Sequence, residues 1–125
     1  MKIEVSNGEI VDKFTILKIK LEKIIDEEKL KYVQKEHAYL GKQVLQIGVE
    51  DIYINKLYDI NCILWDIEDS IRLKEQKSEF DATFIQLARK VYITNDKRAA
   101  IKKEINIVTK SKFHEVKQLP NVQII

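Results

Sequence analysis

Three glycines and one proline are the only backbone punctuation in these 125 residues. Sandwiches and barrels need frequent turns, so a chain this poor in turn formers is committed to long helices. The length suits one domain with a single modest core, 1–125, with extended arms at 1–5 and 110–125. Hydrophobic residues make up 45% and charged residues 34%, with 22 basic against 20 acidic side chains. The signs are interleaved along the chain, as on a solvated helical surface, and no basic face argues for nucleic acid. No apolar run is long enough for a membrane span. A cytoplasmic protein is expected. The single cysteine, Cys62, excludes an intrachain disulfide and a cysteine-based zinc site.

Periodicity divides the chain into about four or five helices. Ser6 and Glu9 have the spacing of a capping box. Ile10, Phe14, Leu17, Leu21 and Ile24 then mark one helical face, while Ile16 and Ile19, beside Asp12 and Thr15, lie on the opposite side. A helix with two apolar strips is central in a bundle or packed on another subunit. The pattern slips at Asp26–Lys29 and resumes through Leu30, Val33, His37, Leu40, Val44 and Ile47, which predicts a second, near-collinear helix ending at Gly48. A third helix, about Glu50 to Lys77, carries Tyr53, Leu57, Ile60, Leu64, Ile67 and Ile71 inward. A fourth starts near Ser78 or Asp81. "ITND" reads as a break before a fifth through Ala99, Ile101, Ile105 and Val108. The tail alternates loosely and suits a short strand against Lys2–Val5 or a docking arm. The expected fold is an all-α antiparallel bundle.

Arginine is confined to one stretch: Arg72, Arg89 and Arg98 stand against nineteen lysines spread end to end. Each borders an apolar strip. Asn61, Trp65, Glu68, Arg72 and Glu75 step by four and three, forming a polar row beside the core of the third helix. A guanidinium can hold a carboxylate or phosphate with two bonds and stack on an aromatic ring. Two readings follow. The arginines pair with Glu68, Asp69, Glu75 and Asp96 and organise the bundle, or they hold an anionic ligand. The nearby acids favour the first. His37 falls on an apolar stripe without a second histidine nearby, and Asp66, Glu68 and Asp69 point around the helix rather than to one metal, so neither a metal nor a cofactor is expected. No P-loop, GxGxxG, HExxH or GxSxG is present.

The segments GE-x-x-DK-x-TIL-x-IK (Gly8 to Lys20), LW-x-IED-x-IR (Leu64 to Arg72) and LAR-x-VY-x-x-ND-x-RA (Leu87 to Ala99) resemble a small family of uncharacterised bacterial and phage proteins, a domain of unknown function. The resemblance implies no activity. It does group Asp12, Lys13 and Thr15 with the arginine region, making Asp12 a further acid for an arginine. The expected function is a non-catalytic helical module that self-associates or binds a protein partner. The alternative is a small-molecule enzyme or binding protein in which Arg72, Arg89 and Arg98, with Glu68, Trp65, Asp12 and Lys13, hold a phosphate or carboxylate.

Overall fold

The computed structural model describes residues 1–120. It contains four helices: α1 (Asn7–Lys23), α2 (Glu27–Ile47), α3 (Asp51–Gln76) and α4 (Ala82–Val108). The all-α expectation holds. Ser6 caps α1 by accepting the Glu9 N–H at 3.2 Å. The other half of the capping box is diverted, because the Glu9 carboxylate accepts from Lys102 instead.

After Lys23 the backbone turns extended at Ile24, and Asp26 caps α2 by accepting the Lys29 N–H at 3.0 Å. Two helices were expected here, but they are not near-collinear. The link reverses the chain, so α2 folds back on α1: Phe14 stacks on His37 with ring centroids 4.6 Å apart, and Lys13 faces Glu36 at 3.8 Å. His37 is thus a boundary histidine, its Nε2 buried without a hydrogen-bond partner among the described residues. Gly48 ends α2 at φ 72°, left-handed backbone that glycine adopts without a Cβ clash.

α3 and α4, of 26 and 27 residues, form an antiparallel hairpin about 40 Å long at 1.5 Å per residue. Lys74 closes its turn through Glu79 and Asp81 at 2.9 and 3.0 Å, and Asp81 caps α4 by accepting the Phe84 N–H. α1 lies on this hairpin and also meets α2, whereas the backbone of α2 approaches α1 alone. The second apolar strip of α1 is therefore covered within the chain, with Ile19 buried on the hairpin side. Val11, Val44, Leu57 and Ile105, one from each helix, meet in the central core.

The expected fifth helix does not exist, since α4 runs unbroken through "ITND". Its inward face explains the apparent break. Thr94, Lys102, Ile105 and Asn106 are buried, and Arg98 is half-buried between them. Steps of four along Thr94, Arg98, Lys102 and Asn106 trace a polar ladder facing α1. A test for apolar periodicity fails on such a face although the helix continues.

The N- and C-terminal segments form no strand among the described residues. They meet through Lys112 and Glu4 at 3.3 Å, and the Ser111 hydroxyl accepts the Asn7 N–H and donates to the Phe113 carbonyl. The last part of the expected tail strand, 121–125, lies outside the described residues.

Candidate functional site

The α1–α4 contact is built from polar groups that satisfy one another. Asp12, 1% exposed, accepts from Arg98 Nε at 2.9 Å on one carboxylate oxygen and from the Arg98 terminal nitrogen on the other. Asn61 of α3 donates through Nδ2 to the same Asp12 oxygen and to Thr15 Oγ1, both at 2.9 Å. Thr15 in turn donates to the Asp12 carbonyl at 2.7 Å. A buried carboxylate is tolerable only when paired and hydrogen-bonded in this way. The hydrogen bonds that it donates to Asp12 hold the Arg98 guanidinium above its ordinary proton affinity, more than offsetting its partial burial.

One turn further along α1, Glu9 takes Lys102 Nζ at 2.6 Å, and Glu115 from the C-terminal arm takes the same ammonium at 3.0 Å. Burial is the largest single influence on Lys102 and lowers its proton affinity. The two carboxylates together outweigh it, so the group stays above its usual value. At the end of the ladder Gly8 donates its N–H to Asn106 Oδ1 at 2.7 Å.

Glu115 gives a pH prediction. The hydrogen bond from Lys102 holds its carboxyl below the ordinary value. Its contribution is therefore present above the ordinary carboxylate range and disappears as pH falls through the lowered value. The side chain is over a third exposed, so the pair contributes at most about 1 kcal/mol after solvent screening. Glu115→Gln should lower stability slightly at pH 7, and urea melts at successively lower pH should show that difference shrink as pH falls below the ordinary carboxylate range.

Beside the Asp12 network opens a cleft of about 490 Å³ between α1, α3 and α4. Ile16, Ile19 and Leu64 form its apolar part and Trp65 one side, while Glu68, Asp69, Arg72, Asn95 and Arg98 bring the polar groups. Most of the polar row on α3 thus becomes one wall: Asn61 at the buried end, Trp65 half-buried, and Glu68 and Arg72 exposed. Glu75 does not line it.

The expected arginine network with local acids is not what forms. Among the described residues Arg98 pairs with Asp12, and neither Arg72 nor Arg89 has a carboxylate within 4.0 Å. Glu68 and Arg72, one turn apart, do not close into an ion pair. Two of the three arginines converge on the cleft. Arg89 is half-buried elsewhere on α4, and Lys13 points to α2. Asn95, which the sequence places in the apparent "ITND" break, lines the cleft and is a site residue that the sequence reading did not single out. Lys102, Glu9, Asn106 and Glu115 were not anticipated as a group either. The signal available for them was Gly8, a small residue where another helix must come close. Among the described residues no group of three or more histidine, cysteine, aspartate or glutamate side chains is placed to hold a metal ion.

The molecule is a small all-α protein with a polar ladder between α1 and α4 and a cleft that carries charges of both signs. The chain belongs to the family of unknown function DUF6165, whose model matches residues 1–123. No curated protein and no solved structure matches it. No helix among the described residues is long and apolar enough to cross a membrane.

Proposed function

We propose that the protein binds a small molecule carrying a phosphate or carboxylate in the α1/α3/α4 cleft. The observation that carries this reading is the state of the two arginines on its wall. Arg98 is fixed in orientation by the buried Asp12, and its side chain remains 27% exposed. Its Nη1 group makes no hydrogen bond among the described residues. Arg72 has no protein carboxylate on it at all among the described residues. A guanidinium held in place before the ligand arrives loses little freedom on binding.

Trp65 is the only tryptophan and lines the cleft, so its emission reports occupancy. Ethyl phosphate and butyrate are the simplest carriers of the two anionic groups. Saturable change in Trp65 emission is expected with at least one of them, and Arg72→Ala should weaken that binding about tenfold or more, the value of a charge-assisted hydrogen bond. Because Arg72 is exposed and unpaired, the same substitution should leave stability within about 0.5 kcal/mol. No saturable response to either compound would count against the site.

A second reading, self-association or docking of a protein partner, is favoured by α2. Its backbone approaches α1 alone, and Tyr32 and Tyr39, seven residues apart on one side, are exposed. Light scattering across a wide concentration range tests it. A strict monomer at the highest concentration would remove the self-associating form.

A further inference from the structure

The charges lining the cleft do not cancel within the protein, and their arrangement narrows the ligand further. Arg98 is already balanced by Asp12 behind it. The remaining wall carries one positive group, Arg72, and two negative ones, Glu68 and Asp69. Counting +2 for the two arginines and −3 for Asp12, Glu68 and Asp69 leaves the region at −1. A ligand that is only an anion meets the arginines but is repelled by the two carboxylates one turn or less away. Glu68 stands four residues before Arg72 in the order that favours a helical ion pair, yet no pair forms. Both signs are therefore presented to the cleft and neither is used up.

We infer that the ligand is a zwitterion, with a phosphate or carboxylate at Arg72 and Arg98 and an amino group at Glu68 and Asp69. This rests on the anion reading above and names the class of molecule that the same site takes. The apolar part, Ile16, Ile19 and Leu64 with the Trp65 ring, faces the carbon skeleton that links the two charged ends. The amine-bearing end satisfies carboxylates that a simple anion would leave facing a like charge.

Two matched pairs of probes separate the possibilities: ethyl phosphate against O-phosphoethanolamine, and butyrate against γ-aminobutyrate. Within each pair the second compound adds an amine to nearly the same skeleton. Titration followed by Trp65 emission should show the amine-bearing member binding about tenfold more tightly in at least one pair, a difference of about 1.4 kcal/mol. In the double variant Glu68→Gln/Asp69→Asn that preference should vanish, with the simple anion now binding more tightly than to wild type. Equal affinity within both pairs would overturn the zwitterion inference and leave the anion site standing. A preference that survives the double variant would also overturn it, because the amine would then sit elsewhere. Failure of all four compounds to bind would remove the anion site itself. Heteronuclear spectra of the double variant matching wild type outside the cleft would show that the fold is intact, as expected for two exposed side chains.

Discussion

Replacing Asp12 by alanine should destabilise the protein by about 3–5 kcal/mol, the usual cost of removing one member of a buried, hydrogen-bonded charge pair. Asp12 is 1% exposed and accepts from Arg98 and from Asn61. Without it, the half-buried guanidinium loses both oxygens and the buried Asn61 amide keeps only Thr15. A domain of this size has about 5–15 kcal/mol in total, so the loss is a large fraction of it. Urea melts at pH 7 measure the change directly. Asp12→Asn is the informative companion. An amide preserves the shape but presents an NH₂ to one of two arginine donors, so about 2 kcal/mol or more should still be lost. A change under 1 kcal/mol in Asp12→Ala would mean that α1 docks on α4 without this pair.

The second large effect concerns Gly8. A Cβ built there would stand 2.5 Å from the Lys102 carbonyl oxygen, 3.1 Å from its carbon and 3.0 Å from Asn106 Oδ1. Two of these are backbone atoms of α4 and cannot swing away. Gly8→Ala must therefore push α1 off α4, stretching the Gly8 N–H bond to Asn106 and the Glu9–Lys102 pair. Overpacking of this kind costs about 1–3 kcal/mol, and the rigid backbone obstacle places Gly8 at the upper end. Gly41 provides the control. It lies inside α2, and an added Cβ would meet only Phe14 at 3.5 Å, an ordinary contact. Gly41→Ala should therefore stabilise by up to about 1 kcal/mol through helix propensity. Opposite signs for the two glycines, read from thermal or urea melts, distinguish close helix approach from propensity.

The limits of the sequence reading follow from how these contacts are made. α1, α2 and α3 were legible because their apolar residues recur at helical spacing and their ends carry capping signals at Ser6, Asp26 and Gly48. The wall of the cleft on α3 was legible as well: Asn61, Trp65, Glu68 and Arg72 are one row on one helix. α4 was divided in two because Thr94, Arg98, Lys102 and Asn106 face inward where apolar residues are expected. Arg98, Lys102 and Asn106 make sense there only once Asp12, Glu9 and Gly8 are set against them, and the partners lie 86 to 98 residues away in sequence. Nearby acids were the natural candidates for the arginines, but a helix cannot choose its partners by sequence proximity. Only the resemblance that grouped Asp12 with the arginine region, together with its position on the second face of α1, pointed to the right carboxylate.

The most direct measurement is a double-mutant cycle on Asp12 and Arg98, with Asp12→Ala, Arg98→Ala and the double variant compared by urea unfolding. If the buried pair holds α1 on α4 and fixes the guanidinium at the cleft, the double variant loses less than the sum of the singles. The coupling should then be about 2–3 kcal/mol, at the upper end for residues in one network. Additive losses, with coupling no larger than about 0.5 kcal/mol, would contradict that account.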